Sequence, residues 1–253
     1  MSKIKGKCLF ISDAHHPYCD RRAYELMLKV ALAEGSNIKE IVINGDFLDM
    51  YGVNGHGIDS RLKIDAEDEI EIGRKELVRI RKLFPRAKIV FLQGNHEFRL
   101  ERYMAEHAPA LVNLITTPKA LDLAALKIKY IPFTPNQKYQ IMGTSLYARH
   151  RPEGSGANAA IQTVKNCGAS VIYGDIHKVQ ECQHVTLKGD YHRAIGVGWL
   201  GDKNHPVMNY VKNHHDWQLG FALITVLDSG LWFCENKTII NYTVVHNGKV
   251  FKT

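Results

Sequence analysis

The sequence predicts a layered α/β fold with one parallel sheet and a second, mixed sheet. Two patterns carry this expectation. Through the first two-thirds of the chain, short apolar runs alternate with stretches of helical periodicity, an order that means parallel strands joined by right-handed crossovers. Beyond Lys178 the pattern changes to strands separated by Gly-Asp, Asp-Ser-Gly and His-Asn-Gly. Those are hairpin signals, so an antiparallel sheet is expected to close the fold.

The elements follow in order. Cys8 to Ser12, Glu40 to Asn44 and Lys88 to Gln93 are nearly continuous apolar runs, as strands buried on both faces require. Between the first two, Ala23, Leu26, Met27, Val30 and Ala31 recur at helical spacing behind Asp20, a good N-cap. Between the second and third, Ala66, Ile70, Gly73, Leu77, Ile80 and Phe84 mark one face of a longer helix that starts at Asp65. Thr144 to Ala148 and Ser170 to Tyr173 read as two more strands, with a helix from Gly156 to Cys167 that Gly168 stops. The late strands are expected at Val185–Leu187, His192–Val197, Leu219–Leu227, Leu231–Cys234 and Tyr242–His246.

Composition bounds the class. With 253 residues, 45% hydrophobic and 23% charged, the chain is expected to form one domain over residues 1–253 and is not disordered, collagenous or coiled-coil. No apolar run has the length of a membrane span, and the apolar stretch near the start is too short for a secretory signal. A cytoplasmic protein without a membrane partner is the expectation. Five scattered cysteines (Cys8, Cys19, Cys167, Cys182, Cys234) give neither a disulfide framework nor a zinc-finger spacing. The net charge of +7 favours anionic partners such as nucleic acid.

The chemistry gathers at the strand ends. Asp13 and His15 follow the first strand, Asp46 and Asp49 the second, and Asn95 and His96 the third; His150, and then Asp175 and His177, follow the next two. The carboxyl ends of strands in an open parallel sheet line one crevice, so these segments deliver Asp, His and Asn to one place. Turn chemistry explains a single Gly-Asp or Asp-x-His. It does not explain histidines recurring in the same relative places on successive strands.

In order and separation, Asp13-Ala14-His15, Gly45-Asp46-Phe47-Leu48-Asp49, Gly94-Asn95-His96-Glu97, His150 and Gly174-Asp175-Ile176-His177 resemble the signature of the calcineurin-like metallophosphoesterases. The resemblance implies a four-layer αββα sandwich of two mixed sheets flanked by helices. It implies that Asp13, His15 and His177 hold a first divalent ion, that Asp46 bridges to a second, and that Asn95 and His150 hold that second ion. A bridging carboxylate keeps two such ions roughly 3.5–4 Å apart for in-line displacement at phosphorus. His96 is then the proton donor to the leaving oxygen, with Asp49 holding its imidazole in the useful tautomer.

The chain departs from the family at one point. Where members usually carry Gly-His-x-His, it has Gly174-Asp175-Ile176-His177. Asp175 can ligate the second ion through oxygen, which moves the site toward harder metals; manganese is expected first, with iron, zinc, magnesium or nickel as alternatives. The competing reading is a weakened second site that fills only with substrate present. Arg99, Arg149 and Arg151 adjoin site residues and are candidates for gripping substrate phosphate, ahead of Arg21 and Arg22. Met50 to Arg61, with His56, reads as a loop over the crevice, and His214-His215-Asp216 as a loop rather than a further metal site.

The resemblance implies a two-metal phosphoester hydrolase. The basic charge points to a phosphodiester in nucleic acid or nucleotides. A phosphomonoesterase or pyrophosphatase acting on a small molecule or phosphoprotein is the alternative, since one scaffold hosts many substrates. An inactive scaffold is a third reading, disfavoured because it has no need of His96 and Asp49.

Overall fold

The computed structural model describes residues 2–54, 64–210 and 216–253. His56 and most of the expected loop over the crevice, together with His214 and His215, lie outside the described residues. Strands β1 (Ile4–Ile11), β2 (Ile38–Asn44), β3 (Lys88–Leu92) and β4 (Ile128–Ile131) run parallel. Helix α1 (Arg21–Ala33) joins the first pair and α2 (Ala66–Leu83) lies between the second and third strands. Asp20 and Asp65 cap these helices, accepting from Ala23 and Asp68 N–H groups. After β3 come α3 (Phe98–His107) and the single turn α4 (Thr117–Ala120).

The second sheet follows: β5 (Tyr139–Gln140), β6 (Leu146–Ala148), then α5 (Ala159–Cys167), β7 (Ser170–Tyr173), β8 (Gln180–Val185) and β9 (Tyr191–Gly196). Its order is β5-β6-β7-β9-β8, with β6, β7 and β9 parallel and both edges antiparallel. The chain then returns to the first sheet through β10 (Gly220–Leu227) and β11 (Trp232–Thr238), giving the order β11-β10-β1-β2-β3-β4. A separate hairpin, β12 (Thr243–His246) and β13 (Lys249–Lys252), ends the fold.

Period-two alternation explains the layers. Leu9, Ile11, Ile41, Ile43, Ile89 and Phe91 face α1 and α2, against Leu26, Met27, Val30 and Leu77. Their neighbours Cys8, Phe10, Val42, Val90 and Leu92 face the second sheet and meet Leu146, Ala148, Ile172 and Ile195. On that sheet's other face, Val171, Tyr173 and Ala194 pack on Ala160 and Val164 of α5. Helix, sheet, sheet and helix make a four-layer αββα sandwich.

Two expectations change. The late strands do not form one antiparallel sheet: β9 joins parallel to β7, while β10 and β11 extend the first sheet. The strand expected at Val185–Leu187 lies earlier, at β8, and Thr186–Gly189 is the turn after it. Its sequence, Gln-Glu-Cys-Gln-His-Val, alternates between half-buried and exposed positions, as an edge strand does, so no apolar run announces it. Leu187, which suggested the strand, is fully exposed.

Candidate metal centre

The parallel strands of both sheets end at one crevice. There the backbone of Asp13 (φ 53°), His15 (φ 50°), Asp46 (φ 47°), Asp175 (φ 65°) and His177 (φ 57°) enters the left-handed region. Non-glycine residues rarely adopt it, and such strain gathers where side chains must be aimed. Two glycines let the loops approach. A Cβ on Gly94 would lie 2.1 Å from Asp46 Oδ1, and one on Gly174 would lie 1.8 Å from Ser12 Oγ and 2.3 Å from Asp13 Oδ2.

Among the described residues, three groups of side chains have ligand atoms within 4.8 Å of one another: Asp13, His15 and His177; Asp13, Asp46 and His150; and His15, Asp49 and His96. His15 Nε2 faces His177 Nε2 at 3.2 Å, and Asp13 Oδ1 is 3.4 Å from His177 Nε2. Asp46 Oδ1 lies 3.3 Å from His150 Nε2, which also meets Asn95 Oδ1 at 3.0 Å. The carboxylate common to the first two groups is Asp13, whereas the family resemblance makes Asp46 the bridge. Asp175 Oδ1 stands farther off, 3.7 Å from His150 Nε2 and 3.4 Å from the Arg151 guanidinium.

Asp49 sets the orientation of two imidazoles. Its Oδ1 lies 2.9 Å from His15 Nδ1, while His96 Nδ1 donates to the Asp49 carbonyl at 2.8 Å with Oδ1 at 3.1 Å, so the Nε2 of each ring is turned away from Asp49. Burial and the Arg99 charge oppose protonation of His96, but Asp46 and Asp49 outweigh them and push it up to about 9. Burial likewise opposes protonation of His150, and Asp46 and Asp13 lift it to about 10. Burial would raise Asp46, yet His150 and His96 hold it well below the usual carboxylate range.

This set fits divalent cations. Asp13, Asp46 and Asp49 are 0–2% exposed, and buried carboxylates are costly unless cations or donors compensate them. Mixed imidazole and carboxylate donors suit transition metals. A cation there would compensate these acids, with His150 as a neutral imidazole donor.

Of the flanking arginines, Arg99 donates to the Asp49 carbonyl at 2.9 Å and reaches His96 Nε2 at 3.0 Å. Arg151 is half exposed beside Asp175. Arg149 is aimed elsewhere: its guanidinium meets Glu153, Cys167 and the Pro135 carbonyl. It follows β6 immediately before the inward His150, and alternation turns it to the other side.

Sequence reasoning assigned no role to Glu97. It is 1% exposed; its Oε2 accepts the N–H groups of Asp46 (3.0 Å) and Gly94 (2.8 Å), and its Oε1 accepts that of Leu48 (2.8 Å). Burial and the Asp46 charge push Glu97 up to about 7, against the lowering effect of the Leu48 and Gly94 N–H groups. Trp199 was missed as well; it stacks on His177 with centroids 4.8 Å apart at 17°.

The calcineurin-like phosphoesterase family model matches residues 6–218, and the chain belongs to that family. Its site is that of a metal-dependent phosphoesterase. The chain is 24% identical over 240 residues to the gene 54 protein of Mycobacterium phage L5, covering 88% of this chain and 90% of that protein. The gene 54 protein of Mycobacterium phage D29 matches with the same identity and coverage. Among solved structures, the hypothetical protein PH1004 from Pyrococcus horikoshii OT3 superposes with a TM-score of 0.47 at 12% identity, covering 92% of this chain and 87% of that one. Among the described residues, no helix is long and apolar enough to cross a membrane.

Proposed function

We propose that this protein is a two-metal phosphodiesterase acting on nucleic acid or nucleotides in the cytoplasm, with manganese as its metal. The observation that carries the reading is the pair of adjoining groups, Asp13, His15 and His177 and then Asp13, Asp46 and His150, each with ligand atoms within 4.8 Å of one another and with Asp13 in common. The choice of a polyanionic substrate is supported by the net charge of +7, in excess although the crevice itself gathers several acids.

Asp13, His15 and His177 would hold one ion, and Asn95, His150 and Asp175 would hold a second, with Asp46 as a further carboxylate donor. When bound, the ions supply Lewis acidity and an activated water for in-line attack on phosphorus. The protein's own groups do the rest. Asp49 fixes His96 through Nδ1, and once Arg99 moves from His96 Nε2 to the phosphate oxygens that nitrogen is free to carry a proton to the departing oxygen. Arg99, against His96, and Arg151, against Asp175, offer N–H donors to the phosphate oxygens.

The test is a manganese-supplemented screen of the purified protein against a chromogenic phosphodiester, the matching monoester, and single- and double-stranded DNA. Turnover of the diester and of DNA above the monoester is expected. Turnover confined to the monoester would move the protein to the phosphomonoesterase class, and no turnover with any metal would favour a binding role.

A further inference from the structure

Beside the His150 end of the cluster lies a cleft of about 420 Å³, walled by Phe98, Phe133, Pro135 and Arg151 and by the Arg149–Glu153 ion pair. That volume is in the range of small-molecule sites. Phe98 is 39% exposed although it directly follows His96 and Glu97. Neither Phe98 nor Phe133 belongs to the buried apolar cores. Their ring centroids are 5.7 Å apart at 47°, which leaves an aromatic wall turned to the cleft.

The wall is fixed to the strand ends that carry the cluster. The Phe133 N–H donates to Gln93 Oε1 at 3.0 Å, and Gln93 immediately precedes Gly94-Asn95-His96. Gln137 completes the tie: its Nε2 donates to the Gln93 carbonyl at 2.8 Å, and its Oε1 accepts the His150 N–H at 2.9 Å. The Phe133 ring stands 6.2 Å from that of His150. Between cleft and cluster, the Arg151 guanidinium lies 5.4 Å from the Phe133 centroid and 3.4 Å from Asp175 Oδ1. A partly exposed apolar ring and a cation thus lie next to the His150 side of the cluster.

We infer that this cleft takes the planar base of a nucleotide whose phosphate lies at the cluster, with Phe133 and Phe98 as the stacking surface and Arg151 as the cation between base and phosphate. The inference rests on the phosphodiesterase reading above and adds the origin of substrate preference. Base stacking on an aromatic side chain is sequence-tolerant, because every base has a π face, so the cleft selects nucleosides over simple alkyl groups without choosing among bases.

Two readouts test it. The first is the ratio of kcat/KM for thymidine p-nitrophenyl phosphate to that for methyl p-nitrophenyl phosphate, esters with the same leaving group. The second is calorimetric binding of adenosine monophosphate against ribose monophosphate, which needs no turnover. The wild type is expected to favour the nucleoside in both. Phe133→Ala and the surface variant Phe98→Ala are expected to lower each preference roughly tenfold, and Phe133→Trp to restore it. A wild type active on both esters but without preference in either readout overturns the subsite and leaves the phosphodiesterase reading standing. A preference in binding that Phe133→Ala abolishes, in a protein inert toward both esters, supports the subsite and sinks the catalytic reading. Equal losses on both members of each pair, with the ratios kept, overturn the subsite.

Discussion

Glu97 is joined to Asp46 through the backbone: the Glu97 carboxylate accepts the Asp46 N–H at 3.0 Å, while the same oxygen accepts Gly94 and its partner oxygen accepts Leu48. One buried side chain thus fastens the loop after β2 to the loop after β3, the two that carry Asp46 and Asn95.

Glu97→Ala leaves three N–H groups without this acceptor. At about 1–3 kcal/mol for each buried donor left unpaired, a destabilisation of several kcal/mol is expected. Urea denaturation of the metal-free protein measures it. Manganese affinity is expected to fall in the same variant, because the loops that position Asp46 and Asn95 are released. Unchanged stability and affinity would show that Glu97 does not hold the loops.

His96→Ala and Asp46→Asn separate proton donation from metal binding. His96→Ala is expected to keep its metal content and lose roughly 10²–10⁴ in turnover, the usual contribution of a positioned acid. Asp46→Asn is expected to lose both, since it exchanges a buried carboxylate of the cluster for a neutral amide. Metal analysis beside steady-state kinetics distinguishes them, and metal loss from His96→Ala would reassign that histidine as a ligand.

Asp175 is expected to influence which metal is preferred. With an oxygen donor at this place, activity is expected to be highest with manganese and poor with zinc; Asp175→His is expected to shift the preference toward softer ions. Asp175→Ala is expected to weaken one metal site and spare the other. The same two-metal occupancy and turnover in Asp175→Ala would leave Asp175 only its contact with Arg151.

Acid stability has a separate origin at Glu34. Its Oε1 meets Lys7 Nζ and His246 Nε2, each at 2.5 Å. Burial alone would raise this carboxyl, but Lys7, His246 and Asn247 bring it down to about 2 from an ordinary 4.5. A depressed folded-state value contributes stability that is complete above the unfolded value and lost as pH falls through the folded one. Wild type is therefore expected to be more stable than Glu34→Gln at neutral pH. The gap is expected to close between about pH 4.5 and 2, followed by urea denaturation across that range. A gap that stayed constant over this window would exclude the Glu34 charge as its source.

Much of the site could be read in the sequence, because a parallel strand is a continuous apolar run and the chemistry lies one to four residues past its end. Asp13, Asp46, Asn95, His150 and His177 each follow such a run. What escaped lacks that local signal. The Gln137 contact to His150 spans 13 residues, and the Glu97 contact to Asp46 spans 51. The Trp199 stack on His177 depends on how β9 passes β7. Strand β8 is polar at Gln180, Glu181, Gln183 and His184, so apolarity could not reveal it. Arg149 was read by adjacency to His150, and adjacency in a strand puts side chains on opposite faces.

The central claim, a pair of ions held by these residues, is tested most directly by a crystal grown with saturating manganese and measured at the manganese absorption edge. Two anomalous peaks are expected roughly 3.5–4 Å apart, one contacted by Asp13, His15 and His177 and the other by Asn95, His150 and Asp175, with Asp46 touching both. Manganese bound elsewhere, with this cluster free of anomalous signal at saturation, would contradict the claim.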